Sequence, residues 1–167
     1  MKTGNIVAVC TSIRGGLPKY PCGEITVEKY GARGDYHCRE QRPDFKNPTI
    51  LVPNDRHLLI VSLEALVHVS DELSLNPRLR AGSLGENLTT IGLGDLSDIL
   101  PGAVIWIGTT VVLRVLKQNK PCKHTAVIHS LFNKTIYTPE KPRRGLLCTV
   151  EKGIGFTVRT NEEIRIL

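Results

Sequence analysis

Long apolar runs are missing from this chain. The two longest apolar stretches, near Leu58–Val69 and Ala103–Leu116, are broken by charged or polar residues, and neither can span a bilayer. The apolar run Ile6–Cys10 behind Lys2 is too short for a signal peptide. No membrane role is expected, and a reducing cytoplasm is the default compartment. Cysteine pairing is missing too. The five cysteines, Cys10, Cys22, Cys38, Cys122 and Cys148, are odd in number and include no CxxC, which argues against a disulfide framework and against a zinc knuckle. Aromatic residues are only 5% and are not interleaved with the basic ones. A stacking platform for single strands is therefore not expected, nor is a nucleic-acid partner. No glycine-rich segment ends in Gly-Lys-Ser/Thr, so there is no P-loop. No flavin, haem or iron–sulfur motif is present, and any redox activity would need an external electron donor.

What is there suits one domain over residues 1–167. Apolar residues make up 41% of the 167, enough for a core at this size. With few aromatics, that core rests on Val, Ile and Leu, a bias toward strands. The net charge of +6 is spread without a long basic run and suits an anionic small-molecule ligand.

The pattern of short apolar segments supports this. Strands are expected at Asn5–Ile13, around Ile25 and Val27, at His57–Val61 and at Leu88–Ile91. A hairpin is expected from Ala103–Ile107 and Thr110–Leu116, and closing strands at Leu146–Glu151, Gly155–Arg159 and Glu163–Leu167. Ser62 can cap a helix over Leu63–Leu73, and a short helix is expected at Thr125–Phe132. Gly31 to Pro53, with its glycines and prolines, reads as one long loop. Many short strands with Gly/Pro turns and few helices predict a mostly β fold, a closed or partly closed β-barrel.

Three segments carry chemistry. The first is Gly31-Ala32-Arg33-Gly34-Asp35-Tyr36-His37, in which Asp35 can orient His37 or tie down its own loop. The second is Gly82-Ser83-Leu84-Gly85-Glu86-Asn87. Its glycines permit close backbone approach to a ligand, and its N–H groups can bind an oxyanion or simply close a turn. The third is Lys120-Pro121-Cys122-Lys123-His124. Two lysines and a histidine lie within two residues of the Cys122 sulfur, and nearby positive charge favours the reactive thiolate. The plain alternative is a buried, inert cysteine. A third option is half of a zinc or copper site completed by Cys38 or His37.

In order and spacing these segments resemble the MOSC domain, named for the C-terminal part of molybdenum cofactor sulfurases. The matching residues are Gly31-x-x-Gly34-Asp35-x-His37, then Arg56 and Ser62-Leu63-Glu64-Ala65, then Gly82-x-x-Gly85-Glu86-Asn87-Leu88-Thr89-Thr90. Gly92, Pro101-Gly102, Ile107-Gly108 and Pro121-Cys122 follow. The resemblance implies a barrel similar to that of pyruvate kinase and a functional Cys122. It implies that Cys122 either ligates the metal of a molybdenum–pterin cofactor or carries a persulfide sulfur for metal–sulfur cofactor assembly. The expected ligand contacts are Gly85, Glu86, Asn87, His37, Asp35 and Arg56, with Lys120, Lys123 and His124 tuning the thiol. An enzyme of this kind would reduce N-hydroxylated compounds with an external electron donor. A carrier would instead take sulfur from a cysteine desulfurase. The resemblance is to stand-alone forms, without the N-terminal β domain of the reductases or the helical extension of longer bacterial members.

Overall fold

Side chains alternate between inside and outside along the first strand, β1 (Lys2–Thr11), until the pairing slips. Gly4 and Ile6 face inward, and a register shift between Ile6 and Ala8 then lets Val9 and Cys10 both be buried. The computed structural model describes residues 1–44, 46–120 and 140–167 of the chain. After β1 come the short β2 (Tyr20–Pro21), β3 (Glu24–Glu28), β4 (Gly31–Ala32), β5 (Gln41–Pro43) and β6 (Leu51–Pro53). Next are β7 (Leu58–Ser62), α1 (Leu63–Glu72), β8 (Leu88–Ile91), a 3-10 turn (Leu96–Asp98), β9 (Val104–Ile107) and β10 (Val111–Gln118). The chain finishes with β11 (Leu146–Lys152), β12 (Thr157–Arg159) and β13 (Glu163–Ile166).

Seven of these strands close a barrel in the order β13-β9-β10-β11-β7-β8-β1, with β1 pairing back onto β13. Closure removes the exposed edges that an open sheet of this length would present. All ladders are antiparallel except β7–β8, which are parallel because α1 crosses between them. This explains why all five residues of β7 are buried. Leu58 and Ile60 point into the barrel core with Ile6, Leu88, Leu113 and Leu146. Leu59 and Val61 point outward but are covered by Leu66 and Val69 of α1. Ser62 caps that helix by accepting from the Ala65 N–H at 3.2 Å.

The expected closed barrel and the Ser62-capped helix are therefore present. The stretch 31–53 is not one loop: β4 pairs with β3, and β5 pairs with β6 in a separate hairpin. Strand bias here is weak, and Pro43, Pro48 and Pro53 masked the pairing in the sequence. The helix expected at 125–132 lies outside the described residues.

Candidate functional site

The first and second segments meet in a buried polar knot. Gly82 is what lets them meet. It has φ +84°, and a Cβ there would lie 2.1 Å from the Lys19 carbonyl oxygen. Only glycine tolerates both demands. The Lys19 N–H donates to the Gly82 carbonyl at 2.9 Å, which seats Lys19 inside, 3% exposed. The Lys19 ammonium then donates to Asp35 Oδ1 at 2.9 Å and to Asn87 Oδ1 at 3.1 Å.

Asn87 and Asp35 are saturated. Asn87 Oδ1 also accepts from the Leu59 N–H, and its Nδ2 donates to the Cys10 carbonyl and to Asp35 Oδ2. That fills the hydrogen-bonding capacity of a side-chain amide. Asp35 further accepts from the backbone N–H groups of Ser12 and His37. Burial alone would raise the Asp35 carboxyl. The bonds from His37 and the charge of Lys19 outweigh it and hold the group well below the usual carboxylate range. Burial pulls the Lys19 ammonium down, opposed by Asp35.

Glu86 is fully buried beside this knot but has a different task. Its Oε1 accepts from the Gly82 N–H at 2.7 Å and the Thr89 hydroxyl at 3.0 Å, and its Oε2 accepts from the Leu84 N–H at 3.1 Å. The Gly85 N–H is taken by the Gly82 carbonyl. The N–H groups of Gly82, Leu84 and Gly85 are thus spent within the segment, and the structural-turn reading describes it. Glu86, Asn87 and Asp35 hold loops in place, and their polar atoms are occupied.

A second clamp ties the first segment to the strand that leads toward Cys122. The buried Asn54 donates through Nδ2 to the carbonyls of His37 and Arg39, at 2.7 and 2.8 Å, and accepts from the Arg56 N–H at 3.0 Å. Gly31 permits this packing, because a Cβ there would lie 2.3 Å from the His57 carbonyl oxygen. Asp55 then gathers Arg42 at 3.0 Å and Lys117 of β10, with Arg56 at 3.9 Å. Arg56 sits half-buried at this ionic junction. His37 Nδ1 lies 3.5 Å from Asp35 Oδ1, with the side chain 28% exposed, so one ring edge is held and the other can meet a ligand.

Gln118, Leu146, Ile60, Leu88 and Val9 form one row across five strands. The end of β10 therefore lies three strand spacings from Leu88 along the barrel wall, roughly 14–15 Å around the curve. Asn119 closes the corner, its N–H donating to the Gly145 carbonyl and its Nδ2 to that of Arg144. Arg144, only 4% exposed, reaches the Leu84 carbonyl at 2.6 Å. Lys120 is exposed at this exit. Cys122, Lys123 and His124 lie outside the described residues.

Lys19 and Asn54 were not singled out in the sequence. Lys19 has one faint signal, its place between Pro18 and Pro21; a lone asparagine has none. Cys10 and Cys148 are buried in the barrel core, whereas Cys22 is exposed and Cys38 half-buried. Burial pushes the Cys10 thiol up to about 12, and burial raises Cys148 further. No three histidine, cysteine or carboxylate side chains come together as a metal site among the described residues.

A family model for the MOSC domain matches residues 47–165. This chain belongs to the MOSC domain family. Members of the family are associated with molybdenum cofactor binding. The YuaD protein of Bacillus subtilis is similar in structure, with TM-score 0.80 and 20% identity over 98% of this chain and 95% of that one. YiiM from Escherichia coli matches with TM-score 0.67 and 20% identity, over 99% of this chain and 69% of that one. YiiM from Geobacillus stearothermophilus gives 0.62 and 20%, over 98% and 73%. At such identities these likenesses establish the shared MOSC fold. No curated protein matches in sequence. Among the described residues no helix is long and apolar enough to cross a membrane.

Some of the expected ligand contacts keep groups that could meet a phosphate-bearing ligand. His37 offers a ring edge, and Arg56 and Lys120 offer charge, beside loops already fixed by the two clamps.

Proposed function

We propose that this chain holds a molybdenum–pterin cofactor, with Cys122 as the thiolate ligand of the metal. With an external electron donor it would then reduce N-hydroxylated compounds. Family membership supports this reading. The observation that carries it is the pair of clamps, Lys19–Asp35–Asn87 and Asn54–Asp55. They tie His37, Arg56, the Gly82–Asn87 turn and β10 into one connected frame.

The chain's own residues would divide the work. Lys120, with Lys123 and His124, favours the deprotonated thiol at Cys122. Arg56 and Lys120 supply charge for the phosphate. Asp35 fixes the His37 ring, leaving Nε2 to hold or pass a proton. When bound, the cofactor supplies two-electron cleavage of an N–O bond, with loss of water.

Native and denaturing mass spectra test this, on protein purified without oxygen from a host that makes the cofactor, beside Cys122→Ser. A pterin-sized adduct on the wild type alone is the expected result. A bare chain in both would overturn it. A single added sulfur on the wild type alone would replace it with the persulfide carrier, supplied by a cysteine desulfurase.

A further inference from the structure

Two turns stand side by side at one end of the β3–β12 ladder. Thr26 pairs with Thr157. Beyond that pair the Val27 N–H donates to the Phe156 carbonyl and the Gly155 N–H to the Val27 carbonyl, each at 2.8 Å. The same register sets Lys29 across from Ile154. Lys29 and Tyr30 make the turn from β3 to β4. The Phe156 N–H donates to the Gly153 carbonyl at 3.0 Å and closes the other turn.

These tips are apolar and basic at once. Ile154 is 55% exposed and Phe156 52%. Lys29 and Lys152 flank them, and both are exposed. Neither lysine has a carboxylate within 4.0 Å among the described residues, and Glu40 acts on Lys29 only from farther away. The carboxylates nearest in sequence are matched already. Arg33 holds Glu28 at 2.6 Å, Arg159 holds Glu24 at 2.8 Å, and Arg114 holds Glu151. Those pairs leave two unmatched ammonium groups beside two uncovered apolar side chains.

We infer that the paired tips, Lys29–Tyr30 and Lys152–Phe156, dock this protein onto an anionic lipid surface. Ile154 and Phe156 would enter the boundary between headgroups and acyl chains, and the two lysines would stay with the anionic headgroups. Two side chains on turn tips are far less than the roughly 800 Å² per partner of a stable protein interface, whereas a lipid surface accepts them singly. The expectation of no membrane role rested on the lack of a spanning segment, and a surface contact needs none. The inference goes beyond the molybdenum reading and does not depend on it.

The test is sedimentation of the whole chain with vesicles of phosphatidylcholine containing about one-third phosphatidylserine, beside vesicles of phosphatidylcholine alone. Binding to the mixed vesicles should be at least about tenfold stronger and should weaken as salt rises. Lys29→Gln and Lys152→Gln should each weaken it about fivefold, the scale of one cation at an anionic surface. Ile154→Ser and Phe156→Ser should each weaken it about fivefold as well, since half of each side chain is already covered. All four positions are exposed, so these variants keep the fold. Arg80→Gln removes the same charge from an exposed position beside the Gly82–Asn87 turn and should leave binding unchanged. Phe156→Trp should add blue-shifted tryptophan emission on the mixed vesicles. No sedimentation with the mixed vesicles would overturn the assignment and leave the tips to a protein partner. An equal loss from Arg80→Gln would overturn it in favour of unspecific attraction by net charge. Binding that survives both apolar substitutions, with unshifted tryptophan emission, would overturn it too. Cys122→Ser should bind equally, so failure of the cofactor reading leaves this result standing.

Discussion

Asp35 and Glu86 are two buried carboxylates in neighbouring segments, and their surroundings push them in opposite directions. Asp35 faces the Lys19 ammonium and stays ionised far below the usual range. Glu86, 0% exposed, accepts from neutral donors, backbone N–H groups that include those of Gly82 and Leu84, and the Thr89 hydroxyl. Burial raises its pKa in spite of them. The two titrate in opposite directions because the His37 bonds and the Lys19 charge outweigh burial at Asp35, while the deeper burial of Glu86 outweighs its hydrogen bonds. The Asp35 arrangement joins three parts of the chain, residues 19, 35 and 87. The Glu86 arrangement closes one turn. The long-range knot is the more costly one to disturb.

The largest effect expected follows from that. Lys19→Met strands the Asp35 charge in the interior and should cost roughly 3–5 kcal/mol of stability, the scale for breaking a buried pair. Urea denaturation reads it. Lys19→Met with Asp35→Leu should recover part of the loss. If the double variant is no better than the single, the charge of Asp35 is not the cause. Gly82→Ala comes next. Left-handed backbone costs a non-glycine residue about 1–3 kcal/mol. The new methyl must also displace the Lys19 carbonyl. A loss within experimental scatter would mean that the Lys19 loop docks without help from Gly82.

The contrast also shows what the sequence can and cannot reveal. The barrel was legible because Ile6, Leu58, Ile60, Leu113 and Leu146 lie in short apolar segments punctuated by glycine and proline. Such segments mark where the strands run. Asp35, Glu86 and Asn87 were legible as a group because they stand in glycine-framed motifs. Their roles were not. Whether a carboxylate meets an ammonium or a backbone N–H depends on which loop arrives beside it. The approach of Lys19 is set by contacts 16 and 68 residues away in sequence. Asn54 was invisible for the same reason, since its partners are backbone carbonyls of His37 and Arg39. The β5–β6 hairpin was hidden by its prolines, which suppress the strand signal without preventing pairing at an edge.

A smaller effect sharpens the comparison through pH. Asp35 has a depressed pKa in the fold, so its contribution is present above its ordinary value of 3.8 and is lost as pH falls through the folded value. Glu86 has a raised one. Its contribution is full below its ordinary value of 4.5 and is lost as pH rises through the folded value. Asp35→Asn should therefore flatten the acid side of the stability profile. Glu86→Gln should flatten the opposite slope above 4.5. Its amide nitrogen would face an N–H donor, so Glu86→Gln should also cost about 1–3 kcal/mol. Stability measured across pH for both variants decides the matter. If both flatten the same limb, the two carboxylates are not electrostatically distinct.

The smallest effect lies on the outer wall, where Arg114 and Glu151 form a forked pair across β10 and β11. Two hydrogen bonds hold this pair, as many as the Lys19 ammonium makes in the knot. But water already solvates both partners, so their attraction is screened and removal strands no buried charge. Glu151→Gln should leave the denaturation midpoint unchanged. A shift comparable to that of Lys19→Met would mean that hydrogen-bond geometry, and not burial, sets the strength of ionic contacts in this barrel.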